Sequence, residues 1–249
     1  GVEHFDCSQL KARKYINMDG NMEGTSLMIA AGAANAHYTK RFVREEAAGF
    51  AGLDRFVHGL TGAHIQFAER QLANAIKVAA RIVYYIRKEM PCRLISMTGG
   101  SPTTIPVSCM AKIAVKPEDI EKAKQIAQKV IKEVKFEHKE SDPNMTLDIS
   151  ESAQAAPVMP EDATKATIDL LHILPVGLID TSLVYPNLPI SSHVIETIET
   201  KEDLITWFYR PTSAITSKMK DMDEESRQFS ELFGFEYTVD NYFYGHCVE

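Results

Sequence analysis

No apolar run in the sequence approaches the ~18 to 20 residues that span a bilayer as a helix. The opening Gly1-Val2-Glu3-His4 also lacks the basic and then apolar start of a signal peptide. A membrane is therefore not an expected partner. Cysteine is scarce and scattered: Cys7, Cys92, Cys109 and Cys247 form no paired Cys-x-x-Cys and no framework of spacings, which fits a reduced, cytoplasmic setting. Basic charge is in deficit, with 27 Lys and Arg against 34 Asp and Glu for a net charge of −7. The Lys and Arg residues are spread through helical stretches, so the concentrated cationic face that neutralises phosphates is missing and nucleic acid is excluded as a partner.

Familiar catalytic signatures are missing as well. The sequence contains no Gly-x-Ser-x-Gly elbow, no His-Glu-x-x-His and no Gly-Lys-Ser/Thr phosphate loop. Thr98-Gly99-Gly100-Ser101 reads as a connecting turn, since nothing marks it as the opening of a helix that would bind phosphate. His4, Cys7, His246 and Cys247 carry atoms suited to zinc, at spacings that match no structural zinc pattern.

What is present is ordinary globular composition: 249 residues, 45% hydrophobic and 24% charged. A chain of this size buries about three quarters of the surface it exposes when unfolded, enough for a core without disulfides or metals. Strands are expected at Tyr15 to Met18, Ser26 to Ala34, Tyr38 to Val43 and Leu53 to Leu60. Leu72, Ala75, Ile76, Ala79, Ile82, Val83 and Ile86 then fall on one face of a helix from about Ala68 to Arg87.

Strands at Arg93 to Thr98 and Met110 to Lys116 lead to Pro117-Glu118-Asp119, where proline and two acidic residues suit the first turn of a second helix. Met145 to Ile149 reads as a strand and Ala153 to Pro160 as a linker. A third helix from Glu161 stops at Pro175, and Ser192 to Thr200 with Asp203 to Tyr209 reads as an antiparallel pair. A last helix, capped by Thr212 or Ser213 and stopped by Gly234, precedes a strand at Phe235 to Val239. The order predicts an α+β protein: antiparallel sheets covered by helices on one face, in two related ferredoxin-like subdomains.

Four residues gain interest together. Asp19 ends a short strand, His64 follows a glycine turn, Asn74 sits inside the apolar helix, and Arg210 ends a strand before Pro211. Singly they read as a turn residue, a surface histidine, a polar spot on a helix and a strand-end charge. In series they accompany Leu10-Lys11-Ala12-Arg13-Lys14-Tyr15-Ile16-Asn17-Met18-Asp19, Glu23-Gly24 and Gly59-Leu60-Thr61-Gly62-Ala63-His64. Ala73-Asn74-Ala75, Gly99-Gly100 with Ile105-Pro106, Leu174-Pro175 with Gly177, and Leu204 to Arg210 follow. This ordered set resembles the aminoacyl-histidine (Xaa-His) dipeptidases, carnosinase-like members of the di-zinc aminopeptidase, carboxypeptidase and dipeptidase superfamily, which carry an inserted lid domain.

The resemblance implies that Asp19 is a zinc ligand, that His64 stabilises an oxyanion in its own or a dimer partner's site, and that Arg210 grips a substrate carboxylate. A planar two-pronged donor suits that last task. The chain departs from the family pattern in having Ile65 and Gln66 after His64, and in having no asparagine beside Ile105-Pro106. The family's upstream His-x-Asp and Glu-Glu and its downstream histidine ligand also have no counterpart here.

The expectation is therefore a lid and dimerisation portion of a longer zinc dipeptidase, inactive by itself. Residues 1–36 would belong to the catalytic domain, 37–152 to a first lid subdomain and 153–249 to a second. The whole enzyme would hold two zinc ions, none of them tightly on this chain alone, and would act as a homodimer on small peptides. The alternative is a non-catalytic binding or oligomerisation module with the same fold.

Overall fold

The computed structural model describes residue 11 and residues 31–152, 155–185 and 188–245. Among these residues nine strands are found: β1 (Gly32–Arg41), β2 (Ala51–His58), β3 (Cys92–Gly100), β4 (Cys109–Val115), β5 (Thr146–Ser152), β6 (Gly177–Thr181), β7 (Pro189–Thr200), β8 (Leu204–Ser213) and β9 (Glu236–Phe243). Four α-helices accompany them: α1 (Ala75–Glu89), α2 (Ile120–Glu137), α3 (Glu161–Ile173) and α4 (Thr216–Phe233). The strands join one sheet of order β5-β2-β4-β3-β7-β8-β1-β9, with β6 pairing beside this path to β7. Each of these pairings is antiparallel.

This order resolves into two ferredoxin-like units, as the sequence predicts. The first runs β2-α1-β3-β4-α2-β5; the second takes β1 as its first strand and continues with α3, β7, β8, α4 and β9. The first unit is thus inserted between the first strand and first helix of the second. They meet where Thr98, Gly99 and Gly100 of β3 pair with Glu199, Ile198 and Thr197 of β7, so the two sheets form one. The helices lie side by side in the order α2-α1-α3-α4 over a shared core.

The helical stripes explain that layer. Ile76, Ala79, Val83 and Ile86 of α1, and Ala123, Ala127, Val130 and Val134 of α2, recur at three- and four-residue spacing and are buried. Each large aliphatic side chain placed there contributes about 1.5 to 3 kcal/mol. Under α4, rings replace aliphatics: Tyr38 stacks on Trp207 at 5.2 Å and meets Tyr237 edge-on at 4.9 Å. The two hydroxyls are satisfied, Tyr38 donating to the Ser226 carbonyl at 2.7 Å and Tyr237 to the Asp223 carboxylate at 2.6 Å, whereas the buried Trp207 Nε1 has no hydrogen-bond partner among the described residues.

Several local expectations are corrected. The two strands expected at 26–34 and 38–43 are replaced, within the described residues, by the single strand β1, held between β8 and β9. Tyr15 to Met18 lies outside the described residues. The long helix starts at Ala75 and not Ala68, because Asn74 caps it and a 3-10 stretch, Ile65–Arg70, precedes it. Thr212 and Ser213 do not cap α4. They stay in β8, paired on one side with Ala33 and Gly32 and on the other with Ser192 and Ser191, and ladder bonds on both sides outweigh a cap. Gly234 does stop α4, in the left-handed conformation at φ +65°.

Candidate functional site

The chain leaving β2 turns at Gly62, where φ is +62° and a Cβ would lie 2.2 Å from Val107 Cγ1, so glycine is required. His64 comes next and is exposed. Its segment is laced to the β3–β4 connection. Ile105 donates its N–H to the Ala63 carbonyl at 2.8 Å, Ile65 donates to the Thr103 carbonyl at 3.1 Å, and His64 bridges to Thr104. Asp142, itself buried, clasps both ends of the segment by accepting the N–H of Thr61 at 2.9 Å and that of Ala73 at 2.8 Å.

Arg210 comes from the other unit. Its Nε donates to Glu196 Oε1 at 2.5 Å and its Nη2 reaches Glu196 Oε2 at 3.5 Å. Its guanidinium carbon lies 5.1 Å from the centre of the Phe208 ring, so the group is held on an edge and on a face. Glu196 is fully buried and also accepts the Thr103 N–H at 2.7 Å. His64 and Arg210 are thereby joined across the two units by the path Thr104, Thr103, Glu196.

Asn74 proves to be a helix cap rather than a polar spot within α1. Its Oδ1 accepts from the N–H groups of Ile76 and Lys77, and its Nδ2 donates to the Ile195 carbonyl at 2.8 Å. All three described candidates, His64, Asn74 and Arg210, therefore converge on Ile195 and Glu196 of β7. Asp19 lies outside the described residues. Glu196 was not singled out in the sequence; the available signal was a carboxylate flanked by the apolar Val194, Ile195 and Ile198 of β7.

Beside this convergence lies a cavity of about 600 Å³, lined in part by Asn74, Lys77, His172, Leu178 and His193. Burial pushes the Lys77 ammonium down to about 8, while its Nζ donates to the carbonyls of Leu171, His172 and Leu174 at the end of α3. Burial first, and then the positive charge of Lys218, hold His193 down to about 4, so its imidazole is neutral at pH 7. Cys92 and Cys109 are buried thiols raised by burial to about 11 and about 12, which makes them poor nucleophiles. Among the described residues no three His, Cys, Asp or Glu side chains gather closely enough to hold a metal ion, so these residues do not fit zinc. No helix among them is long and apolar enough to cross a membrane.

Comparison with known proteins agrees with this architecture. Residues 45–142 match the model of the M20 peptidase dimerisation domain. Among solved structures, an aminoacylhistidine dipeptidase from Vibrio alginolyticus superposes on 100% of this chain and 51% of its own, with a TM-score of 0.88 at 23% identity. The chain thus spans about half the length of that protein, and at this identity the likeness is one of fold. An aminobenzoyl-glutamate utilization protein from Klebsiella pneumoniae is 14% identical over 50% of this chain and 33% of its own, with a TM-score of 0.34. The aminopeptidase PepT from Bacillus cereus is 14% identical over 68% and 44%, with a TM-score of 0.30. Likenesses that low carry no weight. No curated protein matches the chain. Over residues 45–142 the fold is consistent with an M20 dimerisation lid.

Proposed function

We propose that this chain is the lid and dimerisation portion of a zinc-dependent dipeptidase acting on Xaa-His-type dipeptides. The observation that carries the reading is the fit of the whole chain onto a dipeptidase of about twice its length, at a TM-score of 0.88. The meeting of His64, Asn74 and Arg210 on β7 supports it. In this reading the stretch ahead of β1, with Asp19 as a zinc ligand, belongs to the catalytic domain; the expected boundary after residue 36 moves, because Gly32–Arg41 is one strand paired with β8 and β9 of the second unit. The two zinc ions and the general base are held by groups outside the described residues, so the chain alone is inactive and binds no zinc tightly.

His64 donates to the oxygen that gains charge as the peptide carbonyl is attacked, in its own site or a partner's, and its exposure leaves it accessible for that task. Arg210 takes the substrate's terminal carboxylate. A homodimer is the assembled form.

Expression from the complete reading frame, followed by an assay of L-alanyl-L-histidine hydrolysis with and without a chelator, tests the reading. Chelator-sensitive hydrolysis is expected. Absence of hydrolysis for a panel of dipeptides with zinc supplied would overturn it, and would favour a non-catalytic binding or oligomerisation module.

A further inference from the structure

Three departures from regular backbone meet at one carboxylate. Strand β7 carries a bulge between Ile195 and Thr197, so Glu196 is the extra residue facing no partner on β8. Bulges re-aim a side chain, and this one turns a carboxylate into the space between the units. Gly100, at φ +80°, approaches so closely that a Cβ would lie 1.9 Å from the Glu196 carbonyl oxygen. Thr103 is held at φ +61°, a strained conformation for a β-branched residue, and its N–H meets Glu196 Oε2. Strain concentrated in this way needs a compensating role.

We infer that Glu196 is a positioning residue. It fixes the Arg210 guanidinium and the Thr103 turn, to which the segment carrying His64 is laced, in one arrangement, and it leaves the Nη1–Nη2 edge of Arg210 as the docking edge for a ligand carboxylate. The inference rests on the proposed reading of Arg210 as a carboxylate grip. A guanidinium offers two forked edges. Here the Nε–Nη2 edge is taken by Glu196, with Phe208 beneath the plane, so an incoming carboxylate meets the end-on edge. Because the same carboxylate holds Thr103, and Thr103 accepts from Ile65, a shift of Arg210 would be passed to the segment bearing His64. Glu196 thus sets the spacing between the group that receives the carboxylate and the group that faces the scissile carbonyl.

Two measurements test it. In the wild-type chain, the Arg210 Nε–H should exchange with solvent far more slowly than that of an exposed arginine such as Arg41; equal rates would overturn the brace. In the protein expressed from its complete reading frame, Glu196→Gln should raise KM for L-alanyl-L-histidine and the inhibition constant of L-histidine by about tenfold or more, the scale of one charge-assisted bond. It should leave inhibition by L-histidinamide, which has no carboxylate, close to wild type. A merely structural loss would lower the active fraction without changing the preference for acid over amide. If Arg210→Ala abolishes that preference and Glu196→Gln does not alter it, the positioning role fails while the grip stands. If Arg210→Ala leaves the preference unchanged, the grip itself fails and the docking edge with it.

Discussion

The side-chain amide of Asn74 donates to the Ile195 carbonyl at 2.8 Å while its oxygen receives the N–H groups of Ile76 and Lys77. One residue therefore starts α1 and anchors it to the bulged part of β7. Asn74→Ala removes a cap and leaves a buried carbonyl without that donor, which should cost about 2 to 3 kcal/mol in denaturant unfolding. Asn74→Asp, which keeps the cap but turns a carboxylate oxygen towards the Ile195 carbonyl, should cost at least as much. Equal stability of Asn74→Ala and wild type would contradict this account.

Asp142 holds both ends of the segment that carries His64. Asp142→Ala should cost about 2 to 4 kcal/mol, because two backbone N–H groups lose their acceptor. It should also accelerate amide exchange at Thr61 and Ala73 before the rest of the first unit. Exchange that rises uniformly over the unit would argue against a local clasp.

Arg55 points into the core between Leu53 and Val57 on β2, fully buried, and its guanidinium nitrogens have no hydrogen-bond partner among the described residues. Burial lowers its pKa to about 10, so it remains charged at pH 7. Arg55→Met keeps most of the volume and removes the charge, and should raise stability by about 1 to 4 kcal/mol. A destabilised Arg55→Met would show that the charge has a partner that offsets its burial.

His193 predicts a loss of stability in acid. Its pKa is 6.5 unperturbed and about 4 in the folded chain, so the unfolded chain binds the proton first. Its contribution is absent above pH 6.5. Stability then falls as pH drops from 6.5 towards 4, by about 3 kcal/mol in all at 1.36 kcal/mol per unit. His193→Phe, which preserves a ring against Tyr209, should flatten the unfolding free energy over that window relative to wild type. An unchanged slope would rule out His193 as its source.

The sequence made the local parts legible and left the distant ones hidden. Apolar spacing reveals α1 and α2, Pro117 and Gly234 mark helix ends, and the hairpin of β7 and β8 announces itself through neighbouring apolar runs. Nothing near β1 tells that it lies between β8 and β9, because those partners come more than 160 residues later, as the 168-residue separation of Tyr38 and Thr206 illustrates. The same limit hid the site. His64, Asn74 and Arg210 carry their own motifs, whereas Glu196 acquires meaning only from the bulge and from Thr103 of the other unit. The apolar stripe places Asn74 within the helix because it does not say where a helix begins; the cap geometry does.

The nesting of one unit within the other has a kinetic side. β1 must wait for strands made far later in synthesis, a connection of a kind that slows folding. The inserted unit shortens that wait, since its own first and last strands pair, with Gly52 opposite Ser152. Once it has folded, a detour of about a hundred residues shrinks to the width of one strand pair, and β1 closes on β8 as though across a much shorter loop. The topology thus favours one order of assembly, in which the insert folds first and its host closes around it.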